Sequence, residues 1–273
     1  MPMLKDFDLI RHSFPADKTI DIYPIADVHL GAVEHSKAEW ENFLKSVERE
    51  NAYLILVGDL LNNNTRGVKF ANPFGETMRP REAKRKMVED LEPIKDRILC
   101  ITTGNHEERT LRDSDQDLTY DICSKLDIED VYRENACFMV VSIGERSNGN
   151  HGNGVQANAT FTFCVTHGAF GGALTGGMVN RNERFGGIIE GLDCLVTAHA
   201  HKGAVTKPSK IVIDPRNNIV SVKHYVAISC VSWLNYGGYA ARKMLTPAQT
   251  CDPQKIRLAY DLHSREKRII TQW

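Results

Sequence analysis

The sequence predicts an α/β fold in which helices cover a β-sheet. Short runs rich in β-branched residues alternate with stretches whose apolar residues recur at helical spacing. Such alternation is typical of right-handed crossover units. Towards the C-terminus the helical spacing gives way to further strand-like runs. We therefore expect one domain over residues 1–273, with a second sheet that packs on the first and is built from strands in residues 204–273.

Nine strands are predicted from runs of apolar and β-branched residues. Six of them are Thr19 to Ala26, Ala52 to Val57, Arg97 to Thr103, Phe138 to Ile143, Thr160 to Thr166 and Cys194 to Thr197. The remaining three are Lys210 to Asp214, Ile219 to Ser229 and Ile256 to Leu262. Asn217-Asn218 is a hairpin turn between the first two of these three.

Three helices are predicted between the early strands. Ser36 is a suitable N-cap for the first, and Pro80 suits the first turn of the second. The third is expected to begin near Asp115. Their apolar stripes are Trp40, Phe43, Leu44 and Val47; Met87, Val88 and Leu91; and Leu118, Ile122 and Leu126.

The composition is that of a globular protein without a membrane partner. Hydrophobic residues make up 42% of the chain, yet no apolar run approaches the roughly 20 residues of a membrane span. The seven cysteines form no C-x-x-C pair, so we expect reduced, mostly buried thiols and a cytoplasmic location. From Lys207 onward, 11 Lys and Arg face 4 Asp and Glu. This basic region could meet a polyanion or could equally be a solvated surface.

Five short motifs with metal-ligating residues each follow a predicted strand. They are Asp27-Val28-His29, Gly58-Asp59, Gly104-Asn105-His106-Glu107, Thr166-His167-Gly168 and His199-Ala200-His201. Strand ends in α/β sheets open onto the crevice where ligands bind, so the motifs should meet at one rim. His199 and His201 are expected on one side of an extended segment. Oxygen and imidazole donors without cysteine suit divalent Mn, Fe, Zn or Co rather than a structural zinc site.

Each motif taken alone has a structural explanation. An isolated Asp-x-His is commonly a surface turn, Gly-Asn-His is a common loop sequence, and His167 alone could be a hydrogen-bonded core histidine. The ordered set of five makes a metal site the better interpretation. The other histidines lack such a setting and are predicted to be structural or solvated; they are His12, His35, His151, His224 and His263.

The ordered set resembles the pattern of the calcineurin-like metallophosphoesterase superfamily over about residues 20–203. The resemblance implies a double β-sandwich flanked by helices in four αββα layers. It also implies two divalent metal ions, with manganese expected and iron, zinc, cobalt or nickel as alternatives. The implied ligands are Asp27, His29 and His201 for one ion, Asn105, His167 and His199 for the other, and Asp59 as the bridge. His106 would be the non-ligand acid near the scissile phosphate.

The sequence departs from the superfamily pattern at two positions. Ala198 stands where glycine is usual, which leaves both following histidines in place. Asn62 stands where many relatives carry an aspartate that orients the histidine acid. His106 is therefore predicted to rely on another acceptor to fix its tautomer.

The resemblance implies hydrolysis of phosphate esters through a metal-activated hydroxide. Candidate phosphate-binding residues are Arg66, Arg109, Arg181 and Arg184, because guanidinium groups bind phosphate oxygens in a bidentate manner. For each of them taken alone, a surface charge is the favoured explanation. The glycine-dense segment from Gly168 to Gly177 is either a simple loop or a flexible cover over the metals.

The substrate class is narrowed by a shorter similarity. Asp27-Val28-His29-Leu30-Gly31 is similar to the opening motif of the SbcD-like DNA repair exonucleases. Together with the basic C-terminal region, it favours a phosphodiester of DNA or of a nucleotide as substrate. A phosphodiesterase for small or cyclic nucleotides is the alternative. A non-catalytic subunit with the same fold stays open as a second alternative, although no implied metal ligand is missing.

Overall fold

The computed structural model describes residues 7–15, 18–65, 75–144, 158–169, 174–261, 263–264 and 266–273. Within these residues, helices and strands alternate as far as β8 and strands dominate after it. In chain order the elements are β1 (Leu9–Phe14), β2 (Ile20–Ile25), α1 (Lys37–Glu50), β3 (Tyr53–Val57), α2 (Pro80–Leu91), β4 (Ile98–Thr102), α3 (Glu108–Ser114), α4 (Leu118–Leu126), β5 (Tyr132–Arg133), β6 (Ala136–Ile143), β7 (Ala159–Thr166), α5 (Thr175–Ile188), β8 (Cys194–Thr197), β9 (Ala204–Thr206), β10 (Ser209–Asp214), β11 (Ile219–His224), β12 (Val226–Ser229), α6 (Gly238–Arg242), β13 (Lys255–Asp261) and β14 (Glu266–Gln272).

Two mixed six-stranded sheets form the body of the fold. One has the strand order β14-β13-β2-β3-β4-β5, and the other has the order β1-β6-β7-β8-β12-β9. Strands β2 to β5 are parallel neighbours, as are β7, β8 and β12. The predicted α/β fold with two packed sheets is confirmed. The carboxyl ends of β2, β3, β4, β7 and β8 each lead into one of the five motifs.

The prediction for the C-terminal strands is wrong in its sheet assignment. These strands do not make a second sheet of their own: β9 and β12 extend one sheet, β13 and β14 extend the other, and β10 and β11 form a separate hairpin. The predicted run from Ile219 to Ser229 is split at Tyr225. The buried ring of this residue lies against α5, where its hydroxyl donates to Glu183 O over 2.8 Å. The chain thus leaves the hairpin there and enters the sheet as β12.

The helix predictions hold in position and differ in their caps. Helix α1 starts directly after Ser36, although the Ser36 side chain makes no capping hydrogen bond. Pro80 occupies the first position of α2, as predicted. Asp115 ends α3 in a left-handed conformation with φ of 56° instead of starting a helix. Asp117 caps α4 by accepting from Tyr120 N over 2.9 Å.

A single hydrophobic cluster joins the two sheets. It includes Phe161 and Phe163 from one sheet, Leu54 and Ile256 from the other, and Trp40 from α1. Six of the seven cysteines are buried and none forms a disulfide, in agreement with the prediction of buried thiols. In the described part of the chain, none of the helices has the length and apolar character needed to cross a membrane. The shared core fixes the strand ends of both sheets relative to one another.

Candidate metal centre

The loops after β2 and β3 are joined by main-chain hydrogen bonds. Asp27 N donates to Gly58 O over 3.1 Å, and His29 N donates to Asp59 O over 2.9 Å. In the other sheet, Ala198 N donates to His167 O over 3.2 Å. These bonds continue the parallel pairing of the strands past their ends. They hold the carboxylate and imidazole side chains of neighbouring loops side by side.

Left-handed backbone turns aim most of these side chains inward. Non-glycine residues rarely adopt positive φ, because the Cβ atom then lies too close to the carbonyl oxygen. Five of the seven predicted ligands nevertheless do so: Asp27 (52°), His29 (48°), Asp59 (51°), His199 (66°) and His201 (54°). The expectation that His199 and His201 lie on an extended segment is therefore wrong. Sharp turns, rather than strand alternation, bring their rings together.

The first group of donor atoms comes from Asp27, His29 and His201. One ligand atom from each residue lies within 4.8 Å of the other two. His29 Nε2 is 3.2 Å from His201 Nε2, and His201 Nε2 is 3.2 Å from Asp27 Oδ1. Asp27 and His29 are almost fully buried, at 0% and 2% exposure. This group therefore combines a buried carboxylate with two imidazole nitrogens at close range.

The second group lies around Asp59. The ligand atoms of Asp59, His167 and His199 fall within the same 4.8 Å limit. Asn105 Oδ1 lies 3.0 Å from His167 Nε2 and 2.6 Å from His199 Nδ1. Asp59 also groups with His29 and His106, and its Oδ2 lies 3.8 Å from His29 Nε2 and 3.3 Å from His167 Nε2, so its carboxylate lies between the two sets of donors. The structure thus brings together all seven residues that the sequence suggested as ligands.

The chemistry of these donor atoms fits divalent cations. His167 Nδ1 lies 2.7 Å from Val57 O, which can only accept, so Nδ1 keeps its proton and Nε2 is the ring nitrogen that is directed towards Asn105 Oδ1 and can bind a cation once deprotonated. Metal-bound histidines are commonly held in one tautomer in this way. Asp27 Oδ1 is buried, and its contact with His201 Nε2 at 3.2 Å lacks the geometry of a hydrogen bond. A buried carboxylate oxygen beside converging imidazole nitrogens is a suitable ligand for a cation.

Close contact between carboxylates and histidines shifts the pKa values of both in this site. Burial alone would raise the pKa of Asp59, but His167 and His106 outweigh it and hold this pKa well below its usual value. Burial alone would lower the pKa of His167, but the neighbouring Asp59 carboxylate raises it to about 10. Positive charge is therefore favoured where the ligand atoms meet. Divalent ions would replace these protons, because metal ligands bind in their deprotonated forms.

His106 lies at the edge of this cluster. Its Nε2 is 3.9 Å from Asp59 Oδ2, and its ring meets the ring of His29 edge-on with centroids 4.4 Å apart. His106 N donates to Asp59 Oδ1 over 2.8 Å, which fixes the backbone of this residue next to the carboxylate. Burial lowers the pKa of His106 to about 3, so the ring is neutral among the protein's own charges.

Glu107 is a supporting residue to which the sequence analysis gave no role. Its buried carboxylate accepts from Asp59 N over 3.0 Å, Leu61 N over 2.8 Å and Gly104 N over 3.0 Å. It thereby joins the loop after β3 to the loop after β4. Burial, followed by the Asp59 charge, raises the pKa of Glu107 to about 7. Its place in the third motif, directly after His106, was the only available sequence signal.

The candidate phosphate-binding arginines have different locations. Arg109 lies beside His106, where its Nη1 donates to Asn62 O over 3.2 Å and to Asn64 Oδ1 over 3.1 Å. Arg181 and Arg184 are exposed on α5 and line a separate groove with a volume of about 680 Å³. Arg66 lies outside the described residues.

The glycine-dense segment from Gly168 to Gly177 is not a loop over its whole length, because its last residues are helical. Residues 170–173 lie outside the described part of the chain, and Gly176 and Gly177 belong to the first turn of α5. The buried side chain of Asn182 on this helix donates to Thr197 Oγ1 over 2.8 Å. Helix α5 is therefore fixed to the strand that leads to His199.

Comparison with known proteins agrees with this site. The pattern of the calcineurin-like phosphoesterase family matches residues 20–203, which hold all five motifs. The chain belongs to this family of metal-dependent phosphoesterases, and its Asp and His clusters indicate a divalent metal centre. No relative among curated proteins matches the chain. The similarity to the SbcD-like branch stays a prediction from five residues.

Gly104→Ala is expected to disrupt the centre, because an added Cβ would lie 2.1 Å from Asp59 N and 2.2 Å from Asp59 Oδ1. Overpacking of this kind costs about 1–3 kcal/mol. Urea denaturation should show that loss, and isothermal titration should show weaker metal binding. Gly176→Ala is the matched control, since an added Cβ there would meet nothing within 4 Å. Equal stability and metal affinity in the two variants would contradict this account of Gly104.

Proposed function

We propose that this protein is a two-metal phosphodiesterase that hydrolyses nucleic acid or nucleotide diesters. The observation that carries the proposal is the pair of adjacent donor clusters, one of Asp27, His29 and His201 and one of Asp59, His167 and His199, which are linked because Asp59 also groups with His29. Asp27, His29 and His201 are the proposed ligands of one ion. Asn105, His167 and His199 would hold the other, and the Asp59 carboxylate would serve both. Such ions would lower the pKa of bound water and neutralise phosphoryl oxygens.

His106 is the proposed proton donor to the leaving oxygen. Its Nε2 faces the carboxylate that bridges the clusters, so it lies beside the place where a phosphate would bind. Burial lowers the pKa of His106 to about 3, and a further negative charge beside the ring would favour its protonated form. A bound phosphate anion supplies that charge. His106 then returns the proton to the leaving oxygen as the ester bond breaks.

A diester is favoured over a monoester by the surroundings of the arginines. A monoester carries an additional negative charge, which calls for cationic side chains that bind its terminal oxygens. Within the described residues, Arg109 already donates to Asn62 and Asn64, and Arg181 and Arg184 line a separate groove. The complete set of donors supports catalysis over the alternative of a non-catalytic subunit. Manganese is the proposed metal, with iron, zinc, cobalt and nickel as alternatives.

Asp59→Ala should weaken binding at both metal positions, because one carboxylate serves both clusters. His29→Ala should weaken chiefly the position at Asp27 and His201. Elemental analysis and titration with Mn²⁺ would measure the number of bound ions. His224→Ala, at an exposed residue that contacts Ser209, is the control and should retain both. An Asp59→Ala protein that still holds two ions with unchanged affinity would rule out the bridge.

Bis-p-nitrophenyl phosphate should be hydrolysed faster than p-nitrophenyl phosphate in the presence of Mn²⁺, since the site lacks a described partner for a dianion. Linear and cyclic nucleotides and single- and double-stranded DNA, assayed alongside, would distinguish a nuclease from a small-nucleotide enzyme. Much faster turnover of the monoester would overturn the diester proposal. Two bound ions without turnover of any ester would favour the non-catalytic alternative.

His106→Ala should keep both ions and lower kcat for diesters with poor leaving groups by about 10²–10⁴-fold, the usual contribution of acid catalysis. The loss should be smaller for p-nitrophenolate, which departs without a proton. Steady-state kinetics with aryl phosphodiesters whose phenols differ in pKa would measure this difference. Loss of one ion would instead identify His106 as a ligand. An equal defect with good and poor leaving groups would point to phosphate binding.

A further inference from the structure

We infer that Glu76 and Arg109 are positioning residues that hold the turn of residues 62–64 so that the Asn62 carbonyl fixes the tautomer of His106. The inference rests on the proposed function, in which His106 donates a proton. It concerns two side chains outside the proposed metal ligands. It also identifies the acceptor that the sequence left open when Asn62 replaced the usual aspartate.

The main chain of Asn62, rather than its side chain, contacts the His106 ring. His106 Nδ1 lies 2.5 Å from Asn62 O. A carbonyl oxygen can only accept a hydrogen bond, so Nδ1 carries a proton in this arrangement. The other nitrogen, Nε2, then faces Asp59, with 3.9 Å between Nε2 and Asp59 Oδ2. The orientation and tautomer of His106 therefore depend on where one peptide carbonyl is held.

Glu76 holds that peptide from outside the turn. Its Oε1 accepts from Asn62 Nδ2 over 3.2 Å and from Asn64 N over 2.8 Å. The Asn62 side chain is thus directed away from the His106 ring. One carboxylate oxygen fixes both ends of the three-residue turn. Without it, neither Asn62 Nδ2 nor Asn64 N has another described hydrogen-bond partner.

Arg109 holds the same turn from the side of α3. Its Nη1 donates to Asn62 O and to Asn64 Oδ1. The Asn62 carbonyl therefore accepts from both the imidazole and the guanidinium, which uses its two lone pairs. Asn63, whose backbone is left-handed with φ of 43°, adds a further hydrogen bond: its Nδ2 donates to His106 O over 2.7 Å. The turn and the His106 main chain are thus held as one unit.

The opposing explanation is that Glu76 simply stabilises a surface turn. The two explanations differ in what Glu76→Ala should do. A structural role predicts a lower melting temperature and similar losses with every substrate. A positioning role predicts a defect that depends on the leaving group and that vanishes when His106 is already absent.

The experiment measures kcat for aryl phosphodiesters of varied leaving-group pKa in the Mn²⁺-loaded protein. Glu76→Ala should lower kcat by about 10–100-fold for poor leaving groups, as expected for a misplaced catalytic group, with KM little changed. Glu76→Gln keeps one carbonyl acceptor and should restore most of the loss. Arg109→Met should act in the same direction. Glu89→Ala, an exposed glutamate paired with Arg85 on α2, is the matched control.

A double-mutant cycle and the tautomer itself decide between the explanations. On a His106→Ala background, Glu76→Ala should cause no further loss, because both changes remove the same contribution. In the Zn²⁺-loaded protein, ¹⁵N NMR should show the Nδ1–H form of His106 in the wild type and a mixture in Glu76→Ala. Additive losses or an unchanged tautomer would overturn this inference and leave the proposed function standing. If the wild type holds the Nδ1–H form, Glu76→Ala loses it and His106→Ala is nevertheless fully active, the positioning of His106 would stand and its role as proton donor would be overturned.

Discussion

The site depends on the hydrogen bonds that continue strand pairing beyond the ends of β2, β3 and β4. Asp27 N and His29 N donate to carbonyls of the next loop, and Glu107 accepts three main-chain N–H groups from the loops after β3 and β4. Buried carboxylates and imidazoles at distances near 3 Å would otherwise move apart or draw in water, because desolvating such groups is costly. The backbone therefore keeps them in place before any ligand binds.

The backbone of that arrangement is strained, and the strained residues are the proposed metal ligands themselves. Five proposed ligands adopt left-handed backbone conformations, each of which costs about 1–2 kcal/mol for a residue with a Cβ. Such conformations persist only where the surroundings determine them fully. Here the surroundings are the buried strands immediately before each turn: β2, β3 and β8 are buried along almost their whole length. The stable core thus supports a site that would not form on a free loop.

The sequence predicted the strands before each motif, the residues that meet at the centre and the two-sheet fold. Apolar runs have a clear period, and the ordered motifs follow them closely. It did not predict the turns at His199 and His201, because positive φ at non-glycine residues leaves no compositional signal. Nor did it predict β12 in the same sheet as β8, because that pairing depends on where Tyr225 packs. The inferred roles of Glu76 and Arg109 were hidden because each depends in part on a contact with a main-chain atom, Asn64 N for Glu76 and Asn62 O for Arg109.

Both sheets contribute proposed ligands to the centre, so metal binding is linked to the packing of the sheets. One sheet supplies Asp27, His29, Asp59 and Asn105, whereas the other supplies His167, His199 and His201. Ions bound by the proposed ligands would join the loops after β2, β3 and β4 of one sheet to the loops after β7 and β8 of the other. Because the unfolded chain cannot assemble these donors, binding would stabilise the folded state by an amount that grows with the logarithm of the metal concentration relative to Kd. Metal binding and sheet packing are then linked, so a substitution that shifts one sheet against the other weakens the centre even when every ligand is retained.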